Sequence, residues 1–192
     1  MRPLRLLAGA LLPVGVLGGV AARELSMVGV SQGYSPEQPI AFSHKLHAGD
    51  NKVPCLYCHS AALHSRHAGI PAANVCMNCH TLLEKQTTEI QRLKEAVQQQ
   101  RPIVWNKVHN LPDFVYFNHS QHVVSGVACQ RCHGAVEQMD RIEQASPLTM
   151  GWCLNCHRSE AHVPTNTFAR VAKNVHDRPT PFAGEDCISC HY

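Results

Sequence analysis

No cysteine in this 192-residue chain stands alone, lysines and arginines gather into no run, and charged side chains make up only 16% of the residues. The missing basic run excludes a nucleic-acid-binding site. Nor does the pattern of apolar residues imply a regular sheet, so an all-β architecture is excluded as well. What is present is ten cysteines and fourteen histidines, and most of their order is one repeated pentapeptide.

That pentapeptide is Cys-x-x-Cys-His. It occurs at Cys55–His59, Cys76–His80, Cys129–His133, Cys153–His157 and Cys187–His191, and it consumes every cysteine. The chain's own composition predicts about 0.04 chance occurrences, so five have a chemical cause. Two thiols three positions apart add to the two vinyl groups of one porphyrin, and the next imidazole reaches the iron. The pattern therefore predicts five covalent haem c groups, held through Cys55, Cys58, Cys76, Cys79, Cys129, Cys132, Cys153, Cys156, Cys187 and Cys190. His59, His80, His133, His157 and His191 are the expected proximal ligands. Tetrahedral zinc requires no histidine after every second cysteine. A disulfide scaffold does not place every cysteine in one identical motif.

With the first thirty residues set aside, about 32 residues serve each haem, too few for a conventional core. Porphyrin faces must then supply much of the apolar surface that side chains bury. The formal charge of +3 falls to about −7 once ten propionates are added to ferrous centres, so the sequence overstates the basicity of the mature protein.

Arg2 and Arg5 precede an uncharged run from Leu6 to Ala22, the pattern of an export signal or an N-terminal transmembrane helix. Pro13 and four glycines weaken that helix, and Val20-Ala21-Ala22 also reads as a cleavage site. Both forms place the rest of the chain outside the cytoplasm, on the periplasmic or external face of the inner membrane. Residues 1–30 are read as this anchor or signal and 31–192 as the haem domain, with Ser31–Pro39 an extended linker.

Phe42-Ser43-His44-Lys45-Leu46-His47 recurs as Phe117-Asn118-His119-Ser120-Gln121-His122, 75 residues on. Cys55 and Cys129 are offset by 74, and Cys76 and Cys153 by 77. Two copies of one unit follow: module one (34–100) with two haems and module two (101–192) with three. Each iron needs a sixth ligand, and His44, His47, His119 and His122 stand where they can supply it. Helical spacing lets one short helix serve two neighbouring haems. His67 and His109 compete for the remaining distal place, with Met150 a further candidate, while His64, His162 and His176 are expected to be exposed. The phenylalanines are expected to pack on a porphyrin face.

Thr81–Gln100 has an apolar stripe of Leu83, Ile90, Leu93 and Val97 and predicts one long helix ended by Pro102. Phe114–Phe117 predicts a short strand. The rest reads as short helices and loops, so the fold class is mainly α with much irregular structure, a multihaem cytochrome c fold built around five covalent haems.

The segments PIAFSHKLHAG, HAGIP followed by CMNCH, WNKVHNLPDFVYFNHSQH, CQRCHG, MGWCLNCHR and the terminal DCISCHY resemble the class III multihaem cytochromes. They are more closely similar to the membrane-anchored pentahaem subunits of the alternative complex III. The resemblance covers about residues 34–192 and implies an electron wire within a quinol-oxidising complex of a respiratory or photosynthetic chain. It favours an uncleaved anchor. It also implies partners: an iron–sulfur subunit, integral membrane subunits and monohaem cytochromes, with a terminal oxidase or soluble carrier downstream. Carried across by position, it implies that His44 ligates the haem at His59 and His119 the haem at His133. His47 and His122 would then reach haems bound elsewhere.

The expected function is electron transfer, with no catalytic residues of the subunit's own. A multihaem nitrite or hydroxylamine reductase needs an iron with an open position and often replaces one motif histidine by lysine, whereas all five motifs here keep histidine. A small tetrahaem quinol dehydrogenase is the third reading, and the tandem Phe-x-His-x-x-His units argue against it.

Overall fold

A computed structural model describes residues 16–25, 28–83, 87–158 and 186–191. The chain divides into two compact units, Met1–Ser31 and Gln32–Tyr192. In the first, residues 16–25 are helical. No helix among the described residues is long and apolar enough to cross a membrane, and residues 6–15 of the expected span lie outside them.

The second unit is a succession of short helices: Lys45–Asp50, Cys55–Cys58, Ser60–Leu63, Ala73–His80, Thr88–Gln98, His119–Val124, Gln130–His133, Val136–Gln138, Met150–Arg158 and Cys187–Cys190. Every attachment motif has helical residues between its two cysteines. One helical turn spans them, which brings both thiols to the same side. Among the described residues there is no β-strand. The expected strand over Phe114–Phe117 is a single antiparallel bridge between Val115 and His191, with the Tyr116 N–H donating to the Cys190 carbonyl at 2.7 Å. A four-residue segment facing another four-residue turn has no room for a ladder.

The long helix expected over Thr81–Gln100 is also shorter than its pattern. It begins at Thr88, where the Thr87 hydroxyl caps it by accepting from the Ile90 N–H at 3.3 Å. It ends where Gln100 takes a left-handed φ of 51°. There Arg101 N–H bonds back to Ala96 O and Gln100 N–H to Val97 O, so a Schellman turn ends the helix at Gln98, before Pro102 is reached. Leu93 is buried, Ile90 and Val97 are half-buried and Leu83 is exposed, with the helix packed on Ala73–His80.

Among the described residues the buried apolar set is Ala62, Leu93, Val108 and Val123. Four residues are far below what a unit of this size needs for stability, as expected where porphyrins supply the interior. Among the described residues the one side chain with no exposure is polar. Gln144 accepts from the Asn110 N–H at 3.0 Å and donates to the Ser146 carbonyl at 3.1 Å, while its backbone pairs with Gly33 and Tyr34. Residues 31–39, expected as a linker, are therefore held: Gln32 and Ser35 bond to the carbonyls of Ala145 and Ile142, and Gln38 exchanges bonds with Asn106. Extended backbone leaves its N–H and C=O groups open, and here neighbouring chain satisfies them.

Candidate haem-binding sites

The two Phe-x-His-x-x-His segments repeat one another in three dimensions. Phe42 meets His44 edge-on at 4.9 Å and stacks on His47 at 4.3 Å; Phe117 meets His119 edge-on at 4.8 Å and lies against His122 at 4.5 Å. Sequence reasoning had put the phenylalanines against a porphyrin face. The structure has each of them bracing both imidazoles of its pair. The backbone differs between copies. Asn118 caps a regular α-turn by accepting from Ser120 N–H at 3.0 Å. Lys45–Asp50 is a wider π-helical turn, docked through Lys45 N–H on the Met139 carbonyl and Ser43 Oγ on Asp140. A side chain at Gly49 would run into the Glu137 carbonyl.

Three of these histidines face a motif histidine. His47 stands 6.1 Å from His80, His122 stands 6.1 Å from His157, and His119 stands 6.2 Å from His133, all between ring centres. A metal joined to two opposed imidazoles by bonds of about 2 Å, with about 1 Å more from each nitrogen to its ring centre, sets the rings about 6 Å apart. The observed spacings suit an iron between them. His44 lies beside His59. Hydrogen bonds fix the rings: His47 Nδ1 to Ser43 O at 2.8 Å, His122 Nδ1 to Asn118 O at 2.8 Å, His119 Nδ1 to Arg66 O at 2.7 Å, and His59 Nδ1 to Gly69 O at 2.6 Å. A carbonyl partner puts the proton on Nδ1 and leaves the Nε2 lone pair for a metal. Burial pushes His44 down to about 4 and His133 to about 3, and it also lowers His80 and His109. All four stay neutral near pH 7, the form that ligates.

The cysteines form a series that sequence order does not reveal. Cys58 interacts electrostatically with Cys79 and Cys76, Cys55 shares a hydrogen bond with Cys129, Cys132 interacts with Cys153 and Cys156, and Cys153 with Cys190. Read by their motif histidines, the sites run His80, His59, His133, His157, His191. The Cys129 bond pulls the Cys55 thiol down to about 6 and pushes Cys129 up. Burial raises Cys132 to about 11 and raises Cys58, Cys76 and Cys153 too.

Buried Arg66 Nε has no hydrogen-bond partner among the described residues, although its guanidinium lies 4.4 Å over the Tyr116 ring. Buried donors of a cation call for an anion, and a porphyrin propionate supplies one. Together with paired imidazoles and thiols in one-turn spacing, these residues fit haem.

The fifth distal place is less simply filled. His67 is exposed, and Met150 begins the Met150–Arg158 helix at 61% exposure. His109 points at His133 rather than at His191. The ring beside His191 is that of Phe114, at 5.7 Å. His64 is exposed as expected, and His162 and His176 lie outside the described residues. Sequence reasoning missed Gln144, Arg66 and the role of Phe42 and Phe117 as imidazole braces. Only the last had a signal, in the repeat itself.

The sequence profile of the class III cytochrome c family matches residues 24–106 and again residues 94–192, and the chain belongs to that family. It is 29% identical over 148 residues to the multihaem cytochrome c subunit of menaquinone reductase from Nitratidesulfovibrio vulgaris, a match spanning 66% of this chain and 70% of the relative.

Proposed function

We propose that this class III cytochrome is the electron-transfer subunit of a membrane quinone/quinol oxidoreductase, carries five haem c groups and has no substrate site of its own. The observation that carries the proposal is the unbroken series of attachment sites through Cys79/Cys58, Cys55/Cys129, Cys132/Cys156 and Cys153/Cys190. Bound haem supplies one-electron iron chemistry. The chain does the rest. Its thiols fix the order of the sites, and paired histidines hold both faces of the centres at His80, His133 and His157. Braced rings limit reorganisation on a change of charge. We further propose an N-terminal anchor over residues 6–22 with the haem domain on the periplasmic side, supported by Arg2, Arg5 and the uncharged run that follows.

Two complexes suit such a subunit. The long segments shared with alternative complex III subunits favour quinol oxidation, with iron–sulfur, integral membrane and monohaem partners and an oxidase or soluble carrier downstream. The similarity to a menaquinone reductase subunit favours the same series running electrons toward quinone. Purifying the native membrane complex, identifying its subunits by mass spectrometry and assaying both directions with menaquinol and menaquinone separates the two. A free-standing cytochrome that co-purifies with nothing, or one that turns over nitrite, would sink the proposal.

A further inference from the structure

His109 Nε2 lies 3.0 Å from His133 Nδ1, with the two rings 4.3 Å apart and inclined at 77°. That spacing is too short to admit a metal between them, which needs about 6 Å. His119 already stands 6.2 Å from His133 on a nearly parallel ring plane. We propose that His109 is a positioning residue for the centre at His133, its Nε2 accepting the Nδ1–H bond of that ligand, and not a distal ligand of any iron. The inference rests on His133 holding a haem, as proposed above.

The direction of the bond follows from ligation. If His133 binds metal through Nε2, its remaining proton is on Nδ1 and must be donated, so the lone pair belongs to His109 Nε2. His47, His59, His119 and His122 all give their Nδ1–H to backbone carbonyls. His133 is set apart by a side-chain acceptor. That acceptor is itself held on both sides: Val108 is buried, and Asn110 N–H is bound to the fully buried Gln144. A pinned acceptor on the far nitrogen fixes the ligand's tautomer and ring plane and makes it a stronger donor, favouring the ferric state.

The test uses the haem-loaded full chain as wild type, His109→Leu and His109→Gln. Haem content by mass should be equal in all three. In His109→Leu all centres should stay low-spin, one reduction potential of the set should move upward, and one low-spin electron paramagnetic resonance signal should change its g values. His109→Gln, whose amide oxygen can accept the same bond, should return both toward wild type. If the leucine variant does not load, His109→Asn, too short to reach Nδ1, serves in its place. A high-spin signal appearing on His109→Leu would make His109 an iron ligand and overturn the inference; so would potentials and g values that do not move. Either result leaves the electron-transfer reading intact. That reading fails separately if the wild type itself lacks haem or shows a stoichiometric high-spin centre.

Discussion

Phe117 lies with its ring centre 4.5 Å from that of His122 while its edge meets His119 at 4.8 Å, so one aromatic side chain braces two imidazoles that face two different motif histidines. Phe117→Ala removes that brace from a half-buried position. It should cost roughly 2 kcal/mol, below the range for a fully buried phenylalanine. Two low-spin resonance signals should broaden together in the same variant. Thermal unfolding and electron paramagnetic resonance measure both, and a change confined to one centre would contradict the shared brace.

Replacing His47, His119 or His122 by Ala should each convert one centre from low-spin to high-spin, because each faces a single motif histidine at 6.1 or 6.2 Å. The thioether cysteines are untouched, so the mass of the loaded protein should fall only by the side-chain difference. Visible and electron paramagnetic resonance spectra of the oxidised variants check this.

Gln144→Leu should destabilise the haem domain by about 3 kcal/mol, since beside the fully buried Gln144 side chain it leaves the part-buried bonds of the Asn110 N–H and the Ser146 carbonyl unmade. For a unit of this size that corresponds to a fall in Tm of about 6–12 °C. Scanning calorimetry of the loaded protein gives the value.

Gly134 follows His133 directly and sits at φ 72°, ψ −165°, a region open essentially to glycine alone. A Cβ there would also stand 2.6 Å from the Ala145 Cβ. Gly134→Ala should cost about 2–3 kcal/mol and lower haem loading at Cys129 and Cys132 in particular. Peptide mapping of the matured protein by mass spectrometry shows which site is empty.

The series of sites also predicts unequal effects of losing a haem. Cys187→Ser with Cys190→Ser removes a terminal member, beside Cys153 alone of the neighbouring thiols named above, and should leave a protein that accumulates with four haems. Cys129→Ser with Cys132→Ser removes the junction between Cys55 and Cys153/Cys156 and should prevent stable accumulation. Haem stain and intact mass of both variants decide it, with wild type expected at five haems.

The helical turn within each Cys-x-x-Cys-His motif, the matching build of the two His pairs and the small apolar core of the described residues were legible in the sequence, because each depends on spacing within a few residues or on composition. Two thiols and an imidazole must share one helical turn, and Cys-x-x-Cys-His shows that without a fold. The helix start at Thr88 and the bridge at Val115 depart from the local pattern because a capping hydroxyl and a distant His191 backbone override it. The order of the sites, the pairing of Cys55 with Cys129 across 74 residues, the bond from His133 to His109 and the closing of Gln144 over Asn110 were decided by tertiary structure alone. Each joins groups far apart in the chain, the His133–His109 and Asn110–Gln144 bonds at 3.0 Å, and such contacts depend on where whole segments dock, which no local spacing records.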